Sequence, residues 1–457
     1  MKIQRISGKT AHPSADWLIK PAAVIVWIAV LGGCALLYHN VRIDANMFAG
    51  VFAGDHIGVI LSVSFSCFTL FYFLVQALLA VFYRPAPLLP DNKLPQLTVI
   101  IPAYNEGGHI YKAIQSVVRA EYPAGKLEII AVNDGSGDDT WEWICKAAAQ
   151  YPETVIAVNQ PENRGKKHAL CSGICRAKGE VIVTIDSDSA IVPDALRRIA
   201  SPFADPEVGA VAGNVRVMNL NEGFIPKMLD TAFAFGFEFM RAAQTTIHSV
   251  LCTPGALSAY RLEAIKPLIP WWLNQTFLGK PASIGEDRAI TSMLIRQGWH
   301  VDFQSDAFVY TKMPTTYSGL FKMLTRWCRS DIRENLIMLR FAFFNLRHFR
   351  FRQFGLQLNV IFASASIILP LFSIPALLLA VISMPAEACL VLATGNMLWS
   401  AVPAFIYASR YGIRGSCWAF LYGFYYVPFL SWIGIYSVLT LRNTSWITRQ
   451  LKKQDLN

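Results

Sequence analysis

VIVTIDSDS, residues Val181–Ser189, is an apolar run that ends in two carboxylates, Asp186 and Asp188, with a single residue between them. A continuous apolar run bounded by polar residues is the pattern of a parallel strand buried on both faces. Its acids then stand at the carboxyl end, the edge along which open α/β sheets hold their ligands. Proteins usually hold magnesium with one or two carboxylates completed by substrate phosphates, so the pair points to a divalent cation shared with a nucleoside diphosphate. A strand followed by a plain acidic turn has the same letters, and only the surroundings separate the two readings.

Upstream, the same design repeats. Leu97–Pro102 is a short β-branched run that stops at Ala103-Tyr-Asn-Glu-Gly-Gly108 and leads into a helical pattern over 109–120. Leu127–Val132 ends in Asn133-Asp-Gly-Ser-Gly-Asp-Asp-Thr140, again before a helix. Val155–Val158 is followed by Gln160-Pro-Glu-Asn-Arg-Gly-Lys-Lys-His168 and a helix through Arg176. Strands alternating with helices, each strand opening into a polar loop on one edge, predict an α/β fold with a mainly parallel sheet and a nucleotide crevice. In those loops Asn105, Glu106 and Asp134 offer acceptors to a nucleoside, and Arg164, Lys166 and Lys167 offer positive charge to a diphosphate. Acidic loops also cap helices, and Asp134, Ser136, Asp138 and Asp139 fit that role one loop at a time. Four such loops in register with the carboxylate pair favour the ligand site.

Composition adds a membrane. Of the 457 residues, 54% are hydrophobic and 16% charged, against roughly 45–50% and about 25% in soluble domains. Five uncharged windows follow: 21–38, Ile57–Tyr83, 355–382, 388–408 and 416–441. The second is long enough for a hydrocarbon core of about 30 Å. Between the second and third lies a polar region large enough for one catalytic domain. The net charge of +10 is concentrated at Lys2, Arg5, Lys9 and Lys20 and at Arg340, Arg347, Arg350 and Arg352. By the positive-inside rule both clusters, and the domain beside them, face the cytoplasm. They suit topology and anionic lipids; no basic stripe interleaved with aromatics suggests nucleic acid.

The last window leaves a conflict. Arg410 and Arg414 suit a cytoplasmic loop, but a single fifth span puts Arg449, Lys452 and Lys453 outside. Either the tail departs from the rule, or the windows around Pro370 and Pro428 contain a re-entrant or sixth segment. Leu31-Gly-Gly-Cys34 has the form of a lipoprotein cleavage box, yet the long polar segment before it and the apolar run beyond it argue against cleavage. The nine cysteines show no zinc spacing, and reduced, buried thiols are expected.

IPAYNE, VNDGSGDDT, NRGKKHAL and TIDSDS, in that order, resemble the inverting nucleotide-sugar transferases of family two over residues 97–334. Within them the chain is similar to the membrane-embedded processive synthases, those of hyaluronan and rhizobial chitooligosaccharides in particular. Cys252-Thr-Pro-Gly-Ala-Leu-Ser-Ala-Tyr-Arg261 resembles their acceptor-side segment, with Thr253-Pro254-Gly255 in place of the usual Ser-Gly-Pro. Gly285-Glu-Asp-Arg-Ala-Ile-Thr291 matches their second acidic motif, and Leu324-Thr-Arg-Trp-Cys-Arg329 their RW segment, with Met323 where they have Gln.

The resemblance implies a nucleotide-diphosphosugar transferase domain, a UDP-sugar donor and Mg2+ or Mn2+. It implies Asp287 as general base and Asp188 as metal ligand. It places Ala103, Tyr104, Glu106, Asp134, Lys166, Lys167, Asp186 and Arg326 at the donor and Trp327, Glu286, Arg288 and Gly255 at the acceptor. A single base suits direct displacement at an anomeric carbon, and an indole face suits a pyranose, although a Trp beside basic residues is also a common interfacial anchor.

The expected organisation is a cytoplasmic tail over 1–20, two spans over 21–83 and a transferase domain over 84–316. Amphipathic interface helices over 317–352, about three spans over 353–442 and a basic tail over 443–457 follow. The expected function is a multi-pass cell-membrane synthase, on the inner membrane in a Gram-negative cell. It adds hexosamine-type sugars, with or without glucuronate, to a growing polysaccharide and extrudes it. Membrane lipids and accessory export proteins are its expected partners. A non-processive transferase acting on a lipid carrier, and a nucleotide-binding transporter or scaffold, are the alternatives; the apolar windows lack the ionisable residues that mark ion pathways.

Overall fold

The computed structural model describes residues 56–343, 351–383 and 385–443. The first apolar window, the Leu31–Cys34 box, the tail over 1–20, Arg347, Arg350, and Arg449, Lys452 and Lys453 lie outside them.

The apolar runs form the strands they suggest. β1 (Leu97–Ala103), β2 (Leu127–Asp134), β3 (Val155–Gln160) and β4 (Val181–Thr184) alternate with α2 (His109–Val118), α3 (Thr140–Gln150) and α4 (Lys166–Ile174); α1 (His56–Phe82) precedes them. All seven residues of β1 and all four of β4 are buried, as strands covered on both faces should be.

Four further strands complete an eight-stranded sheet: β5 (Ser189–Ile191), β6 (Val208–Val217), β7 (Ser258–Arg261) and β8 (His300–Thr311). The order is β3-β2-β1-β4-β7-β6-β8-β5. The first four run parallel. β7 is antiparallel to both β4 and β6, β8 is parallel to β6, and β5 is antiparallel to β8. The sheet is therefore mixed and mainly parallel, and its direction reverses beside β4, where Asp186 and Asp188 emerge. The strand order also switches at β1, with β2 and β3 to one side and β4 to the other, and such a switch is where open sheets leave a crevice.

The chain then leaves the sheet. α5 (Ala195–Ala200), α6 (Phe224–Ala234) and α7 (Glu286–Arg296) cover it, and α8 (Tyr317–Ala342) leads to α9 (Phe351–Ile368), α10 (Pro370–Ser383), α11 (Pro385–Tyr411), α12 (Ile413–Tyr425) and α13 (Trp432–Leu439). The window expected over 355–382 is thus two helices, broken where Pro370 opens the second, a position proline favours.

Among the described residues no single helix is both long and apolar enough to cross a membrane. One pair, Ile413–Leu430 and Trp432–Leu439, passes that test together, with a bend of 42° between its parts.

Polar clamps join the terminal helices to the sheet. Arg216 on β6 pairs in a buried fork with Asp230 on α6, at 2.9 Å from Nε and 2.5 Å from Nη2. Asp230 also accepts a 3.0 Å bond from the Tyr407 hydroxyl of α11, and the Arg216 guanidinium lies 3.4 Å from the centre of the Tyr411 ring. On the other side Tyr72 and Gln76 of α1 both donate to Asn359 of α9.

Candidate active site

The loops at the carboxyl edge hold one another before they hold anything else. Asn105, at φ 52°, accepts from the Gly137 amide at 2.9 Å, and its own amide donates to Ser136. The amides of Glu106 and Gly107 donate to the Thr140 hydroxyl. The Asp134 carboxylate accepts from the amides of Arg164 and Gly165, each at 3.0 Å. Burial pushes its pKa up, and those two amides oppose the rise. Gly135, at φ +64°, lets this loop touch the next, since a β-carbon there would stand 2.4 Å from the Glu162 carbonyl carbon.

These loops open onto a cavity of about 720 Å³. Ala103, Tyr104, Asp134, Asp186, Asp188, Glu286, Asp287, Arg288, Arg326 and Trp327 all line it. Lys166 links two of these acids, with its ammonium 2.6 Å from Asp186 Oδ1 and 2.8 Å from Glu286 Oε1. Gly255 makes room for that bridge, because a β-carbon there would sit 2.7 Å from the Lys166 nitrogen. Its amide donates at 3.1 Å to Asp287 Oδ2.

Residues 286 and 287 stand at the start of α7 because Gly285 adopts φ +68°, a left-handed turn that side chains disfavour. A β-carbon at Gly285 would also fall 2.3 Å from Ser330 Cβ. The two adjacent acids end in opposite states. Burial works against ionising Glu286, but the Lys166 ammonium overcomes it and holds the group down at about 2. Burial pushes Asp287 up to about 6, and the charge on Glu286 adds to the rise while Lys166 opposes it. Such a separation is what acid–base chemistry uses.

Four expected residues lie off the cavity lining. Lys167 was placed at the diphosphate, but its ammonium is buried and donates to the Trp272 carbonyl at 3.1 Å and to Gln275 at 3.2 Å. Successive helix residues point about 100° apart, so with Lys166 facing the cavity Lys167 faces the body of the domain. Glu106 does not line the cavity; it accepts from the hydroxyl of Ser187, between the two aspartates, at 2.9 Å. Asn105 and Arg164 also lie off the cavity lining, and the remaining residues assigned to donor, acceptor, metal and base share the cavity.

The structure adds residues that no motif marks. After α6 the helix passes through a widened π-turn segment, Phe235–Arg241, a deviation frequent at functional sites. It brings Phe237 and Arg241 to the cavity beside Phe233. Arg241 donates to the Cys252 carbonyl at 3.2 Å and lies 3.8 Å from the Phe237 ring centre. Phe233 in turn meets Trp327, with ring centres 6.1 Å apart. The signal in the sequence, FAFGFEFMR, reads only as an aromatic helix.

The donor set fits a hard divalent cation. Asp186 and Asp188 present oxygens into one cavity, and the described residues contain no group of three or more His, Cys, Asp or Glu able to hold an ion unaided. An ion there needs further oxygens from a ligand, as magnesium bound by a diphosphate does. The described cysteines are all free.

The chain matches the family described as glycosyltransferase like family 2 over residues 95–330. It is 28% identical over 400 residues to an N-acetylglucosaminyltransferase of Rhizobium sp. (strain N33), covering 85% of this chain and 86% of that one. It is 31% identical over 310 residues to the hyaluronan synthase of Streptococcus pyogenes, covering 67% of this chain and 70% of that one. Among solved structures it resembles a mannosyltransferase of Pyrobaculum calidifontis in complex with GDP-Man and Mn2+, with a TM-score of 0.57 and 22% identity over 78% of this chain and 97% of that one.

Proposed function

The chain belongs to glycosyltransferase-like family 2 and is a hexosyltransferase, and from that premise we propose a membrane-bound processive polysaccharide synthase. It transfers a hexosamine-type sugar, GlcNAc in the first instance, from a UDP-sugar to the non-reducing hydroxyl of a growing β-linked chain, with inversion. The observation that carries this reading is that one cavity joins the Asp186–Asp188 pair to Asp287 and Trp327.

In the proposed reaction Ala103, Tyr104 and Asp134 seat the nucleoside. Asp188, supported by Asp186, holds Mg2+ or Mn2+, which supplies charge to the leaving diphosphate. Arg326 meets the same phosphates in a planar fork. Trp327 carries the flat face of the acceptor sugar, with Gly255, Glu286 and Arg288 around it. Asp287 takes the proton of the acceptor hydroxyl as that oxygen bonds to the anomeric carbon. The bond to the diphosphate breaks on the opposite face, so the configuration inverts and the nucleoside diphosphate departs. Lys166 keeps Glu286 ionised, which keeps Asp287 basic. The terminal helices, with α8 at the interface, hold the domain at the inner face of the cell membrane and receive the product.

The test is reconstituted enzyme given UDP-GlcNAc alone and then with UDP-glucuronate. Long product from the first donor supports a GlcNAc polymer, and product only with both supports an alternating one. Single-addition products alone would rule out processivity, and label in an organic-extractable lipid would indicate a lipid-carrier transferase. Turnover untouched by Asp287→Asn would remove Asp287 from the role of base.

A further inference from the structure

Two cations at the cavity have no place in the scheme above: Arg241, which is part-buried against the Cys252 carbonyl, and Lys312. Lys312 follows β8 and lines the cavity mouth, where it is exposed. β8 and β5 pair antiparallel, with Tyr310 opposite Ala190 and Thr311 opposite Ser189. Lys312 and Asp188 are the next residues beyond that ladder, one just after β8 and the other in the turn just before β5, and both line the cavity. The Thr311 hydroxyl lies 3.4 Å from Asp188 Oδ1, so the two turns meet at that point. His109, at the start of α2, is within electrostatic reach of both Lys312 and Asp188.

The neighbouring cations are already engaged. Lys166 is held by Asp186 and Glu286, and Arg288 by Asp331 at 3.1 Å. Lys312 stands on the solvent side, where a leaving group would exit.

Resting on the donor reading above, we propose that the Lys312 ammonium binds the distal phosphate of the donor's diphosphate, facing the cation held at Asp188. The residue retains the nucleoside diphosphate until the sugar has moved and neutralises the charge that appears as the anomeric bond breaks. A lysine is suited to this because it acts as a point charge and needs no fixed plane. The assignment rests on its place at the same cavity as Asp188, beside the turn that Thr311 joins to that carboxylate.

The experiment compares nucleotides with one and two phosphates. Full-length wild type, Lys312→Met, Lys312→Gln and Lys312→Arg, each checked for an unchanged melting temperature, are titrated with UDP and UMP, and with GDP and GMP, in the presence of Mn2+. Losing one charge-assisted contact should weaken the diphosphate of the preferred base about 10- to 100-fold in the Met and Gln variants. The monophosphate should bind as before, and Arg should restore most of the loss. Equal binding of both nucleotides by wild type and variants overturns the proposal. Equal weakening of both also overturns it, because it marks a structural role. If wild type binds no diphosphate at all, the donor reading itself fails, and that outcome is separate from the other two.

Discussion

Glu286 and Asp287 are neighbours in the chain with unlike surroundings, and the difference is a chemical assignment. Lys166 touches one and not the other. Asp287→Asn removes the proposed base while keeping its shape, and turnover should fall about 10²- to 10⁴-fold with UDP binding retained by calorimetry. A base acts when deprotonated, so with Asp287 raised to about 6 activity should be lost as pH falls through that value and level off above it. The limb belongs to the coupled pair. Glu286→Gln removes the negative neighbour and leaves Lys166 in place, so the limb should move to lower pH; a limb that stays or rises argues against this electrostatic account. At this scale the acids Asp186, Asp188, Glu286 and Asp287, the bridge lysine and the Arg-Trp pair, each named from an ordered motif, fall on one cavity. The sequence misplaced Lys167 and Glu106, because letters do not say which of two adjacent lysines faces a cavity or whether a loop acid turns back to its own scaffold.

Elements decide where those residues point. β1 and β4, and most of β2, were legible because a strand buried on both faces must be apolar along its length, while β3, an exposed edge strand, was legible from its β-branched run and the polar loop after it. β5 to β8 were not read. β6 is rich in small residues, with Gly209 against Trp299 and Gly213 against Leu257, and β7 is four residues long with partners far away in sequence. The two glycines at the base offer separate tests. Gly285→Ala forces a side chain into a left-handed turn, a cost of roughly 1–2 kcal/mol before any clash, and meets Ser330. It should lower both the melting temperature and turnover. Gly255→Ala should chiefly displace the Lys166 ammonium, so turnover should fall with a smaller change in melting.

The whole molecule brings together motifs about a hundred residues apart, and that convergence was legible only through the resemblance of their order. The switch of strand order between β1 and β4 leaves one crevice where the reading along the chain found separate loops. Chelation of divalent cations by EDTA should abolish turnover, and added Mn2+ or Mg2+ should restore it; full activity in EDTA would remove the metal from Asp188.

The fork between Arg216 and Asp230 bears on whether the catalytic part is portable. Its third and fourth partners, Tyr407 and Tyr411, come from α11, long after the last catalytic motif. A chain cut after α8 keeps a buried ion pair but strips the phenol that satisfies Asp230 and the ring that covers Arg216. One lost bond to a buried charged group costs about 1.5–3 kcal/mol, a substantial part of what holds a domain together. The transferase domain is therefore not a cassette that can be lifted onto another anchor. Any transplant that works should carry residues equivalent to Tyr407 and Tyr411 with it.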